Sequence, residues 1–186
     1  HKGEDEAILR AHQEICKQQP DALLILVPRH PQRFADVANL SLEQGLAICR
    51  RSEQRIVAAS ESVLLGDSMG EMAYFFQIAD IAFMGGSLVP VGGHNLLEPA
   101  ALAKPTLIGP HFFNFSDITR QLVDKKACQV IHDESELATH VLQLFSSPEQ
   151  RHTMGMAAFD VVAANQGALE KSLTVIDTVL ARLPQR

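Results

Sequence analysis

The chain has little cysteine, no concentrated positive charge, no long apolar run and no metal-ligand motif. Each absence removes a class of function. The three cysteines, Cys16, Cys49 and Cys128, are far apart and odd in number. A disulfide framework needs paired cysteines, so reduced thiols and a cytosolic setting are expected. The net charge is -6 and no basic cluster exists, which argues against nucleic acid as a partner. No apolar stretch approaches the roughly 20 residues of a membrane span, and no signal peptide is visible. Eight histidines are present, but none falls in a HExxH or similar set, and no cysteine lies near His94. No metal and no cofactor are therefore expected. Spacing also supports no Ser-His-Asp or Cys-His triad, because every candidate sits on a separate loop. Repeats, linkers and low-complexity segments are missing too, so residues 1–186 read as one domain with a sizeable core.

What is present is alternation. Short apolar segments predict strands at 22–27, 46–49, 63–65, 78–83, 106–108 and 128–131. Between them, helical patterns cover residues 4–19, 32–44 (closed by Gly45), 71–77 and 95–103. Ser116 is expected to cap a helix to about 126, and further helices run from Asp133 or Ser135 to 145 and onward from Pro148. Leu169, Leu173, Ile176, Leu180 and Leu183 keep an amphipathic spacing. Residues 50–54 read as a charged, solvated connector. The pattern is α/β: a Rossmann-like parallel sheet flanked by helices. In such sheets ligands bind beyond the carboxyl ends of the strands.

The stretch 85–100 organises the chain. Gly85, Gly86, Ser87 and Gly93 precede His94, Asn95 and Glu98 at an expected helix start. Free N–H donors and a dipole there suit a phosphate. Asn95 is a good cap and Glu98 lies three residues on, so Glu98 is either a capping-box acceptor or a ligand contact. Arg29, between Pro28 and Pro31, is either an anion-binding fork or a surface arginine in a salt bridge. In loop 66–72, Asp67 or Ser68 is an N-cap and no more, or the loop's backbone groups read a base edge; from sequence alone Met72 reads as core. Asn114 is a sugar or phosphate contact or a turn residue. Phe112, Phe113 and Phe115 pack their loop or border an apolar acceptor.

Four pieces occur in order across most of the chain: His1-Lys2-Gly3-Glu4, Pro28-Arg29-His30-Pro31, the 85–100 stretch, and Gly109-Pro110-His111-Phe112-Phe113-Asn114-Phe115. With them the chain resembles the C-terminal half of 3-deoxy-D-manno-octulosonic acid (Kdo) transferases. The resemblance implies the C-terminal domain of a two-domain, GT-B-type, inverting and metal-independent glycosyltransferase. It implies CMP-Kdo as donor and a lipid A precursor as acceptor, in lipopolysaccharide biosynthesis. Donor binding would fall to Pro28, Arg29, Gly70, Met72, Gly85, Gly86, Ser87, Gly93, His94, Asn95, Glu98 and Asn114. The catalytic base, acceptor contacts and membrane anchor would belong to an N-terminal domain that this chain lacks. The fragment is then expected to be soluble and without turnover, and the whole enzyme to sit on the cytoplasmic side of the bacterial inner membrane. Alternatives are the donor half of a UDP-sugar glycosyltransferase or UDP-GlcNAc 2-epimerase-like enzyme, a stand-alone nucleotide-binding module, and a phosphosugar isomerase-like domain.

Overall fold

All six expected strands form in the computed structural model, each three residues long. The structure describes the backbone of residues 1–180 and the side chains of residues 1–165. The strands are β1 (Leu24–Leu26), β2 (Ile48–Arg50), β3 (Val63–Leu65), β4 (Ala82–Met84), β5 (Thr106–Ile108) and β6 (Cys128–Val130). Every pairing is parallel. They make two ladders, β1-β3-β2 and β4-β5-β6, where the sequence predicted a single sheet. Side chains join what the backbone does not: Leu26, Val63 and Leu65 of the first ladder share one buried cluster with Leu107 of the second.

The helices are α1 (Glu4–Gln18), α2 (Phe34–Glu43), α3 (Met72–Ile78), α4 (Leu97–Ala101), α5 (Ser116–Asp124), α6 (Glu134–Ser146) and α7 (Pro148–Leu180). Ile8, Ala11 and Ile15, spaced for one helical face, are buried in the shared cluster. They carry α1 against α6, and α7 covers α4. A second cluster, with Leu96, Ala100, Leu122, Ala158 and Val162, lies beneath α4, α5 and α7. This layering covers both faces of short parallel strands, which cannot stand exposed.

Several strand and helix bounds differ from expectation, and three of the differences are informative. Ile78 ends α3 instead of opening β4, since an apolar run alone does not separate a helix end from a strand. Ser116 lies inside α5 with its hydroxyl on the Phe113 carbonyl (3.2 Å), so it is no cap. The helix expected from Asn95 starts at Leu97 and has five residues. Asp133 does cap α6, accepting from the Glu136 N–H at 2.9 Å. Leu169, Leu173, Ile176 and Leu180 fall on the backbone of α7, but their side chains, and Leu183 altogether, lie outside the described residues. Among the described residues no helix is long and apolar enough to cross a membrane.

Candidate functional site

Because each ladder is parallel, the loops that follow its strands gather at one end. Three hydrogen-bond systems tie these loops together.

The first is centred on Glu4, 1% exposed at the start of α1. Its Oε2 accepts from the Gly86 N–H (2.6 Å), and its Oε1 from the Ser87 and Leu88 N–H groups (2.9 Å each). Such a row of N–H donors is an anion nest, and here the anion is a side chain of the same protein. The Ser87 hydroxyl donates to the Met84 carbonyl (2.5 Å) and accepts from the Gly109 N–H (2.8 Å). Gly86 and Ser87, expected to hold a ligand, are thus engaged in building the loop, and Gly85 lies beside the same carboxylate. Next to Glu4, buried Asp5 accepts from Arg33 at 2.6 Å.

The second system crosses between the ladders. Arg29, exposed three residues beyond β1, donates from Nη1 to His94 Nδ1 at 3.1 Å. His94 Nε2 faces His1 Nε2 at 3.2 Å. An arginine only donates, so His94 accepts at Nδ1 and carries its proton on Nε2. Burial lowers the His94 pKa from its ordinary value, and the Arg29 charge acts in the same direction. His94 is therefore a neutral bridge. Arg29 pairs with no carboxylate among the described residues, which removes the salt-bridge explanation for it. Pro28 is buried and steers the backbone beneath it.

Around this pair, the Gly93 N–H is already bonded to the Gly86 carbonyl (2.7 Å). The N–H groups of His94 and Asn95 donate to no described residue. Asn95 Oδ1 accepts from the Leu97 N–H at 3.0 Å, and Glu98 is exposed with no hydrogen-bond partner among the described residues. The expected capping box is therefore not formed. Asn114 donates to the Val91 carbonyl at 3.1 Å, bringing the loop after β5 onto the loop after β4. Gly92 sits at this crossing with φ +107°, where a Cβ would strike Asn114 and Phe113. An open depression of about 360 Å³ follows Phe113, Asn114, Phe115, Ser116, Asp117 and Ile118, beside the crossing.

The third system joins the loops after β2 and β3. Arg51 donates to Glu71 (2.7 Å from Nη2), and Ser52 donates to Asp67 from its N–H (2.8 Å) and hydroxyl (2.7 Å). Residues 50–54 are thus a latch as well as the solvated connector expected, since Ser52, Glu53 and Gln54 are exposed. Met72, expected in the core, is 39% exposed and Met69 is 69% exposed. Gly70 between them has φ +81° and open space around it.

Sequence reasoning missed Glu4, Asp5 and Arg51 as organisers. An acidic triplet opening a helix already satisfies the dipole, so nothing in it signals burial. Among the described residues no group of three His, Cys, Asp or Glu is arranged to hold a metal.

No protein-family model matches the chain. It is 41% identical over 183 residues to the 3-deoxy-D-manno-octulosonic acid transferase of Haemophilus influenzae, covering 98% of this chain and 43% of that protein. The Bordetella pertussis enzyme of the same name is 38% identical, over 95% of this chain and 42% of that protein. The chain thus spans less than half the length of these relatives. Among solved structures, the C-terminal CMP-Kdo binding domain of WaaA from Acinetobacter baumannii superposes with a TM-score of 0.83 at 35% identity, covering 87% of this chain and 84% of that one.

Proposed function

The chain belongs to the 3-deoxy-D-manno-octulosonic acid transferase family, and on that premise we propose that it is the donor-holding domain of such an enzyme. It grips CMP-Kdo while Kdo passes to a lipid A precursor. One observation carries the assignment to this site: among the described residues Arg29 stands at the strand ends with a single bond, to a neutral histidine, and without a carboxylate partner. Its remaining donors suit a phosphate or the Kdo carboxylate. The N–H groups of His94 and Asn95 lie alongside. The helix dipole adds little, because α4 has only five residues. The loop donors and Arg29 therefore supply most of the attraction.

In this reading Arg29 stabilises charge as the CMP phosphate departs. His94, kept neutral, orients the guanidinium without adding a competing proton. Gly70 and Met72 border the base, and Glu98 and Asn114 reach toward ribose or sugar. Gly86, Ser87 and Gly93 shape the loop from within. The base that activates the acceptor, the acceptor contacts and the membrane attachment belong to the remainder of the enzyme. The chain alone binds donor without turning it over, and the reaction, inverting and independent of metal, proceeds at the cytoplasmic face of the inner membrane.

Calorimetric titration with CMP, UMP and cytidine tests the proposal. The chain should prefer CMP to both. Each charge-assisted hydrogen bond is worth about 1.5–3 kcal/mol, so Arg29→Ala should weaken CMP by roughly ten- to a hundredfold while cytidine and the melting temperature barely change. Equal binding of UMP and CMP, or a CMP affinity that survives Arg29→Ala, would refute it.

A further inference from the structure

We propose that Arg51 and Asp67 are positioning residues for the nucleobase: they latch the loops after β2 and β3 together and so fix the backbone at Gly70. The inference rests on the donor-site reading above.

Five side chains from two loops form the latch. Arg51 directs Nε (3.2 Å) and Nη2 (2.7 Å) onto one oxygen of Glu71. The other Glu71 oxygen accepts from the Ser68 hydroxyl. Asp67 likewise uses both oxygens, one on the Ser52 N–H (2.8 Å) and one on the Ser52 hydroxyl (2.7 Å). The two carboxylates thus bracket Met69 and Gly70 on either side. Glu71 is also the residue that precedes α3, so holding it sets where Met72 begins the helix. The Glu71 carboxyl is held below its ordinary range, first by Ser68 and then by Arg51, and stays ionised for the pair.

What the latch holds has the character of a contact surface. The N–H groups of Met69 and Gly70 donate to no described residue. Nothing lies within 4 Å of where a Gly70 Cβ would be. Met69 and Met72 are exposed on either side, 69% and 39%. Exposed thioethers next to free backbone donors suit the face and edge of a flat heterocycle. A loop free to leave this arrangement would bind a base only in the fraction of time it is formed.

The latch is also partly exposed, 36% at Arg51 and 28% at Glu71. Its loss should therefore loosen one loop without unfolding the domain. Arg51→Ala and Asp67→Asn are compared with wild type by NMR titration of the chain with CMP and with ribose 5-phosphate, which lacks the base. The variants should lose roughly three- to tenfold in CMP affinity with ribose 5-phosphate affinity and melting temperature unchanged. The exchange Arg51→Glu with Glu71→Arg should restore CMP binding. Unchanged CMP affinity in both variants overturns the inference alone. An equal fall for both ligands, with a lowered melting temperature, also overturns it, since that is general loosening. A wild-type chain that binds CMP no better than ribose 5-phosphate overturns the donor-site reading, and this inference with it.

Discussion

The loop after β4 leaves an edge strand and the loop after β3 a central one, and the two are held by opposite means. The first is fixed from inside: a fully buried carboxylate, Glu4, takes three backbone N–H groups, and the Ser87 hydroxyl joins it to the next strand's loop. The second is fixed from outside, by one partly exposed ion pair and by hydroxyls on the Arg51 side. Inner ties are worth more per bond, because their partners cannot turn to water when broken. Outer ties cost less to lose and leave the loop adjustable. The rigid loop carries the expected phosphate-side groups, His94 and Asn95; the adjustable one carries the expected base-side groups, Gly70 and Met72. A phosphate is common to all nucleotides, whereas the base decides which one is taken.

The largest effect should come from removing the inner tie. Glu4→Ala strands three N–H donors in a buried position and should cost about 3–5 kcal/mol. That is a large share of a typical domain stability of about 5–15 kcal/mol. Arg51→Ala should cost under about 1 kcal/mol. Urea unfolding of the two variants measures the contrast directly. Equal losses would abolish the distinction between the loops.

A smaller effect sharpens it. Gly92 and Gly70 both hold positive φ, but only Gly92 is crowded, by Asn114 and Phe113. Alanine at Gly70 meets the backbone penalty alone, about 1 kcal/mol. Alanine at Gly92 adds a collision in a packed crossing, for roughly 2–4 kcal/mol in all. A Gly70→Ala loss as large as that of Gly92→Ala would show that the open loop is packed as tightly as the other.

Much of this architecture was legible in the residues. Val63–Leu65 and Thr106–Ile108 are strands with the expected bounds, Pro148 opens α7 and Asp133 caps α6. These signals are local: apolar runs flanked by breakers, or a cap three residues from its donor. The family resemblance also pointed to the right fold. What escaped was long-range. Glu4 meets partners 82 to 84 positions away, and Arg51 meets Glu71 only because β2 and β3 are neighbours in the ladder. Periodicity carries no information about such pairs. For the same reason Gly86 and Ser87 looked open to a ligand, since the anion that fills their N–H groups comes from another element.

The smallest predicted effect separates the halves by pH. His12, buried in α1, lies 2.8 Å from the Ser62 carbonyl just before β3, in the first ladder's territory. His94 belongs to the loop after β4. Burial lowers the pKa of His12 against the opposing pull of its Ser62 bond; burial and the Arg29 charge together lower that of His94. In the unfolded chain both titrate near pH 6.5. Between that value and the lower folded ones, the unfolded state binds protons that the folded state refuses. Stability is therefore complete above about pH 6.5, falls as pH drops through it, and levels off below the folded values. Carboxylates with depressed pKa, such as Glu61 at about 2, act lower on the scale and leave this window to the histidines. Urea midpoints at about pH 7.5 and about pH 5.5 should differ for wild type. His12→Asn should remove most of the difference, because its imidazole is the better buried, and His94→Asn only a minor part, because solvent reaches it and screens its neighbours. If His94→Asn removed the larger share, the strongly coupled histidine would lie at the donor loop, and the site beside Arg29 would be more enclosed than its exposure indicates. An unchanged midpoint in wild type would mean that neither imidazole resists protonation in the folded chain.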